Sequence, residues 1–260
     1  MKMKLNQIIT ACLFLTLQTA LAQNSHFTTH GTITFEKKVN MYALIKDQIK
    51  KNPNNSFYTL AFEDYQKKQP QFKVLKSSLI FSKNQTLFTP AEEEAAGNSF
   101  FSDFTASQQN NIIATNTLAG TSIAQKKVYE ETYLVKDSTR KINWKITNEI
   151  RNIAGYDCRR ANALIMDSIY VVAFYTDKIP VSGGPESFSG LPGMILGVAL
   201  PYEHITWFAT SIIDQPVSED KLKAPTKGKP LNNAGLISTL KAALKSWGSY
   251  AQEALKGFEL

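Results

Sequence analysis

The three histidines, together with a serine in the chain's most distinctive stretch, are the residues that we consider first for nucleophilic catalysis. The histidines are His26, His30 and His204, and the serine is Ser189. A serine nucleophile needs a base and a further group that orients the base. Ser189 lacks the Gly-x-Ser-x-Gly pattern that presents a serine on a strand-to-helix turn, and His26 lies close to the start of the chain, where we expect little order. We therefore predict no catalytic triad.

Carboxylates offer a second route to catalysis, and also a route to metal binding. Asp157 and Glu186 could act as an acid and a base, but the sequence does not place them together. Glu92, Glu93 and Glu94 are consecutive, and neighbours at i and i+1 do not share a face of a helix or strand. The alternating ligands and turn glycine of a calcium loop are also missing. Zinc, phosphate-loop and dinucleotide motifs are also missing. We predict no catalytic residue, no metal and no cofactor, with a hydrolase kept as an alternative.

The first 22 residues have the pattern of an export signal. Lys2 and Lys4 precede a mostly apolar run over residues 5–17, and Ala20-Leu21-Ala22 supplies small residues for cleavage after Ala22. This run is too short and wrongly flanked for a transmembrane helix. A lipoprotein anchored at Cys12 is the alternative, but the apolar run continues beyond that cysteine. We expect a protein of the periplasm or cell envelope, or a secreted one, that is not integral to the membrane after cleavage.

Without the signal, Cys158 is the only cysteine, so the chain cannot form an intramolecular disulfide. We expect this cysteine to be a small buried hydrophobic residue rather than a reactive thiol. The formal net charge is +7, to which Lys2 and Lys4 of the signal contribute two charges. The basic residues are scattered and form no stripe with aromatic residues, so we predict no nucleic-acid partner.

The alternation of apolar and polar residues predicts a mainly β fold. Strands are expected over residues 30–38 and in several segments between 111 and 213 that are separated by short turns. Short links require antiparallel neighbours, so residues 111–213 are expected to form one long meander with one buried and one wet face. Apolar residues at helical spacing predict two helices within residues 39–68. We expect a single bent antiparallel meander, half-barrel or sandwich-like, with helices near the N-terminus and at the C-terminus (α+β).

Three other segments complete the predicted organisation. Residues 89–110 are expected to form an acidic surface loop, and residues 215–233, with three prolines, a polar connector. Residues 234–258 carry apolar side chains three or four positions apart and predict an amphipathic helix packed on the sheet. A chain of this length and composition fits one domain over residues 23–260.

The most distinctive stretch runs from Ile179 to Leu196. Two glycine- and proline-containing bends flank an aromatic residue, and an apolar strand follows. Glycine permits positive φ and close backbone approach, and proline fixes its own φ. This pattern predicts a rigid, sharply turned loop, and we give an architectural role and a binding role equal weight. The candidate binding or structural residues are Gly184, Pro185, Phe188, Gly190, Leu191, Pro192 and Gly193.

This stretch resembles the GLPGLI family of secreted proteins from the Bacteroidetes lineage, whose name corresponds here to residues 190–195. Residues 144–146, 155–161 and 173–180 resemble further blocks of that family, and Met194 departs from it by replacing a leucine. The candidate motif residues of the second block are Tyr156 and Cys158. The resemblance implies an envelope protein of a Gram-negative bacterium, often encoded near outer-membrane transport genes, and it transfers no activity and no catalytic residue.

Three functions are compatible with this sequence. The first, which we favour, is a non-enzymatic binding or carrier protein whose bent sheet holds an apolar ligand, with residues 183–196 at the concavity. The second is an accessory subunit of an outer-membrane transporter, with residues 184–193 as the contact. The third is a hydrolase, which would need a cleft with converging titratable groups.

Overall fold

A computed structural model describes residues 27–92, 101 and 104–260. The described residues form twelve strands and four α-helices. In chain order the strands are β1 (His30–Asn40), β2 (Phe72–Ser82), β3 (Gln85–Pro90), β4 (Asn111–Asn116), β5 (Thr121–Val128), β6 (Glu131–Ser138), β7 (Lys145–Ile153), β8 (Tyr156–Ile165), β9 (Ile169–Thr176), β10 (Met194–Leu200), β11 (Ile205–Ile213) and β12 (Lys229–Leu231). The helices are α1 (Met41–Lys51), α2 (Ser56–Lys68), α3 (Asn233–Ala243) and α4 (Ser249–Glu259).

All twelve strands belong to one sheet in the order β12-β6-β5-β4-β3-β2-β1-β11-β10-β9-β8-β7. Strands β2 to β6 form one meander and β7 to β11 form another, and β1 lies between β2 and β11 and joins them. Every pairing is antiparallel except that of β12 with β6, which is parallel. The predicted fold class, a mainly antiparallel β sheet with helices near both ends of the chain, is confirmed.

The sheet must be strongly curled, because β6 and β7 are consecutive in the chain but ten strand positions apart in the sheet. In a flat sheet that separation would be about 48 Å. The connection, residues 139–144, has only six residues, and such a segment spans at most about 25 Å. The two ends of the sheet are therefore brought close together without pairing, and an open gap is left between them.

The core lies on the concave side of the curled sheet. Ile33, Phe35 and Val39 of the central strand β1 alternate along one face and are almost fully buried. The α1–α2 pair covers part of this core with Met41 and Ile45, among others. In the described part of the chain, no helix combines the length and the hydrophobicity needed to cross a bilayer.

The expectation of one continuous meander over residues 111–213 is wrong at one point. The turn signal after β6 does not close a hairpin, and the chain instead crosses to the far edge of the sheet to begin β7. As an edge strand, β7 has one neighbour, and Ile146 and Ile150 on it are exposed, the latter by 65%. Alternation in β7 therefore does not mark a buried face, and the register also shifts between these two isoleucines.

The C-terminal region differs from its prediction in two ways. The expected polar connector, residues 215–233, contains the short parallel strand β12, and the expected continuous helix, residues 234–258, is two helices. The break falls between Leu244 and Gly248, whose φ of +59° lies outside helical geometry. The apolar spacing continues through this break because both helices pack on the same core, so the periodicity does not reveal it.

The acidic segment, residues 89–110, is not a surface loop throughout. Glu93 and Glu94 lie outside the described residues, but Phe101 is 1% exposed and Ser107 and Gln109 are buried. These side chains pack against the core because the segment leads directly into β4.

Candidate functional site

The distinctive loop joins β9 to β10 and crosses the concave side of the sheet. A Cβ atom at Gly183 would lie 2.8 Å from Thr86 of β3, and the Phe188 ring contacts Trp207 of β11 with 5.9 Å between centroids. The loop therefore reaches strands on both sides of β1 and fills the interior of the curl.

Two glycines set the geometry at the end of this loop. Gly190 and Gly193 have φ values of +93° and +149°, which favour glycine. At Gly193 a Cβ atom would lie 2.1 Å from the carbonyl oxygen of Thr176, so the close approach of two backbones excludes any side chain. The indole Nε1 of Trp144 donates to the carbonyl of Ser189 over 2.9 Å and ties the loop to the crossing segment 139–144.

Most of the predicted candidate residues of the loop are inaccessible. Phe188 and Leu191 are 2% and 1% exposed, and among the seven candidates only Gly190 and Pro192 are exposed. The buried candidates are Gly184, Pro185, Phe188, Leu191 and Gly193. Their packing supports the architectural interpretation of the motif.

Tyr156 and Cys158 lie on β8, which is remote in the sheet order from the loop's contacts on β3. The Tyr156 hydroxyl is within 3.3 Å of Thr28 Oγ1. Cys158 is fully buried, and this burial, with the Asp157 charge, raises the pKa of its thiol to about 12. The thiolate is the reactive form of cysteine, so the structure agrees with the prediction of an inert core residue.

A cleft of about 440 Å³ lies between the two ends of the curled sheet. One wall is the concave face of β4 to β6, and the other sides come from the crossing segment 139–144, the β8–β9 turn and α3. Its apolar lining residues are Ile113, Ala124, Val135, Leu164, Ile165, Met166, Leu236 and Ile237. Its charged lining residues are Lys126, Asp137, Arg140, Lys141 and Glu259. The loop contributes Ser187 and Ser189 to this lining, two residues that were not among the seven candidates.

Two cations lie at the inner end of the cleft. Lys126 of β5 is 7% exposed, and its Nζ donates to the carbonyl of Phe258 over 2.8 Å. The half-buried Arg140 donates to the carbonyl of Glu259. Burial, reinforced by the Arg140 charge, lowers the pKa of Lys126 to about 8, whereas Glu186 and Glu259 act in the opposite direction.

Glu186, in the loop, is the buried carboxylate nearest to these cations. Asn111 donates to its Oε2 over 3.3 Å. Burial raises the pKa of Glu186, and the positive charges of Lys37 and Lys126 partly offset that effect. Asp157 instead accepts from Asn152 at the exposed β7–β8 hairpin, so the structure does not bring together the two carboxylates considered for acid–base chemistry.

The described histidines also lie away from the cleft. His204 Nε2 is 2.9 Å from Asp47, and His30 Nε2 is 3.8 Å from Asp214, whereas Ser189 contacts Trp144 through its carbonyl. His26 lies outside the described residues. Within residues 27–92, 101 and 104–260, no group of three His, Cys, Asp or Glu side chains could hold a metal ion.

Lys126 and Arg140 were not identified as site residues from the sequence, because neither belongs to a recognisable motif. One signal was available: Lys126 is in phase with Ala124 and Val128, both buried on β5, and a lysine on a buried face usually has a specific partner. Arg140 lies two positions before the predicted alternation that begins at Ile142, in a segment that forms no strand, and nothing in the sequence indicates its partner.

Comparison with known proteins gives a family of unknown function and a distant structural likeness. Residues 164–197, from the end of β8 into β10, match the model of a family described as "Protein of unknown function (Porph_ging)". No curated protein sequence matches the chain. Two crystal structures of PNGF-II, in the space groups P21 and C2, are similar at a TM-score of 0.50 and 13% identity, over 81% and 88% of this chain. In both cases the chain corresponds to 33% of the PNGF-II chain, and the likeness concerns the fold alone.

Proposed function

We propose that the protein is a non-enzymatic binding or carrier protein of the cell envelope that holds a small, partly apolar molecule in the cleft between the ends of its sheet. The observation that carries this proposal is the cleft itself. Its volume of about 440 Å³ lies within the range of small-molecule sites, roughly 300–1,000 Å³. Its lining combines eight apolar residues with five charged and eight uncharged polar ones, so the molecule that fits it is only partly apolar.

The location in the envelope follows from the sequence. Residues 1–22 have the pattern of an export signal, and we propose that residues 23–260 form a single domain after its removal. We further propose membership of the GLPGLI family, which rests on residues 190–195 and on the blocks that precede them. The match of residues 164–197 to a family of unknown function includes residues 190–195 and the block at 173–180.

The two alternative functions have less support from the geometry. The loop 184–193 exposes only Gly190 and Pro192 among its candidate residues, which leaves little side-chain surface for contact with a transporter. A hydrolase would need a nucleophile beside a base, and neither of the two described histidines is among the residues that line the cleft with Ser189.

Binding of an apolar fluorescent probe tests the proposal. Ile237 lines the cleft from α3, whereas its neighbour Ser238 is exposed on the other side of the helix. Ile237→Trp is expected to fill the cleft and weaken probe binding at least tenfold, whereas Ser238→Trp adds the same side chain outside it and leaves binding unchanged. The proposal fails if the wild type binds no apolar probe and yields no organic-extractable ligand after purification, or if both variants behave alike.

A further inference from the structure

The end of α4 is held in the cleft region by side chains from three different segments. The carbonyls of its last residues accept hydrogen bonds from Lys126 and Arg140, as described, and the carbonyl of Leu260 accepts from Ser187 Oγ over 2.9 Å. The last carbonyls of a helix have no partner within the helix, and cations are favourable beside them. The final turn of α4 therefore accepts hydrogen bonds from both inner cations of the cleft, Lys126 and Arg140.

The acceptors on these two cations are neutral carbonyl groups. A carboxylate forms shorter and roughly twice stronger hydrogen bonds with a guanidinium or an ammonium group than a neutral acceptor does. The one fully buried carboxylate nearby, Glu186, is shared with Lys37 and already accepts from Asn111. The Glu259 carboxylate also acts on both cations through its charge. Among the charged residues that line the cleft, three are cationic (Lys126, Arg140 and Lys141) and two are acidic (Asp137 and Glu259). The lining therefore carries a net positive charge, and a carboxylate would be a stronger acceptor for Lys126 and Arg140 than the neutral helix end is.

One part of the cleft lining is apolar and is suited to a hydrocarbon chain. Ile113 and Val135 come from the sheet, Met166 from the β8–β9 turn, and Leu236 and Ile237 from α3. Hydrocarbon buried against these residues would contribute about 25 cal/mol per Å² of apolar surface removed from water. An apolar wall that leads to two cations defines an amphipathic anion as the complementary molecule.

We propose that the ligand of the cleft is a long-chain carboxylic acid, whose carboxylate replaces the carbonyls of Phe258 and Glu259 on Lys126 and Arg140. This inference rests on the binding function proposed above. In this arrangement the last turn of α4 is a strap that competes with the ligand for the same donors. Gly248, at φ +59°, immediately precedes α4 and interrupts the helical backbone between α3 and α4. The strap can therefore move without a change in the sheet.

Calorimetric titration with three ligands of one chain length tests the ligand class. The ligands are dodecanoic acid, dodecanol and dodecyl phosphate, each below its critical micelle concentration. The acid is expected to bind at least tenfold more tightly than the alcohol, and Arg140→Gln is expected to remove most of this difference. Lys136→Gln is the matched control, because it removes the same charge from an exposed residue of β6 that does not line the cleft, and a change below threefold is expected.

The possible outcomes separate the two proposals. Equal binding of acid and alcohol overturns the acid preference but leaves the carrier function in place, and phosphate binding more than tenfold tighter than the acid overturns the choice of a carboxylate. If none of the three ligands binds, the assignment of a long-chain acid is overturned, and the apolar-probe experiment decides the carrier function separately.

The strap is tested on the wild-type protein, so that folding of a variant is not required. Saturation with dodecanoic acid is expected to accelerate amide hydrogen exchange at residues 256–260, and unchanged or slower exchange there overturns the strap. A second readout is Gly257→Val. A Cβ atom at Gly257 would lie 2.2 Å from Thr105 Oγ1, so this substitution is expected to loosen the turn and tighten acid binding about threefold.

Discussion

Substitution of Gly193 by alanine gives the most direct measure of the architectural role of the loop. At φ +149° a non-glycine residue is strained, at a cost of about 1–3 kcal/mol. The new Cβ would lie 2.1 Å from the Thr176 carbonyl, and separating two paired backbones costs about 1–3 kcal/mol more, as overpacking does. Because Met194 pairs with Thr176 in the β9–β10 ladder, the displacement also weakens that pairing. We expect a total loss of about 3–5 kcal/mol.

Gly190→Ala is the matched control for this substitution. Its φ of +93° is also unfavourable, but the nearest atom to a new Cβ is Trp144 Nε1 at 3.6 Å, which is ordinary contact. We expect a loss of about 1–2 kcal/mol from backbone strain alone. Urea unfolding followed by tryptophan fluorescence measures both variants, with a lower midpoint and an unchanged m-value. If Gly193→Ala costs no more than Gly190→Ala, the close backbone approach is not what requires glycine there.

Two further predictions concern the buried ionisable groups. Because burial raises the pKa of Cys158 to about 12, iodoacetamide at pH 8 is expected to leave the native protein unmodified and to react only after unfolding; rapid native alkylation would contradict this. For Lys126, the folded state loses its proton near pH 8, whereas the unfolded chain keeps it to about 10.5. The unfolded state then binds more protons, so the free energy of unfolding should rise between pH 8 and 10, by up to about 3 kcal/mol. This rise should disappear in Lys126→Met, with both proteins in a Cys158→Ala background, because the thiol contributes the opposite slope above pH 9. If the free energy of unfolding depends on pH in the same way in both proteins, burial does not disfavour the charged form of Lys126.

The strands can be predicted well from the sequence, because the alternation of apolar and polar residues follows from burial of one face. In β1, Ile33, Phe35 and Val39 are all inward-facing and buried, so their spacing specifies both the element and its orientation. The helices near the N-terminus are equally well specified, because Met41, Leu44 and Ile45 form a buried stripe and Asn40 caps α1 through its side chain. These features are local, and local features can be predicted from neighbours in the chain.

The features that could not be predicted from the sequence depend on the curl of the sheet. The turn signal at the end of β6 is the same whether the chain forms a hairpin or crosses the gap, and only the position of β12 beside β6 excludes the hairpin. The burial of Phe188 and Leu191 depends in the same way on the loop turning inward rather than lining an edge. The family resemblance identified the segment but gave no information on which way it faces.

The inward turn of the loop also explains why the proposed binding site is not formed by the glycine and proline residues of the motif. A curled sheet of this width encloses more volume than its own inward side chains fill, and the loop occupies the middle of that volume with Phe188 against Trp207. The end of the enclosed space, beside the six-residue crossing, is left to the cleft. The glycine and proline pattern therefore shapes the cavity from behind, through Ser187 and Ser189, whereas the groups that we propose to meet a ligand are Lys126 and Arg140. Substitutions chosen from the loop motif would therefore destabilise the fold. The specificity of the proposed site has to be tested by substitution of the two cations, Lys126 and Arg140.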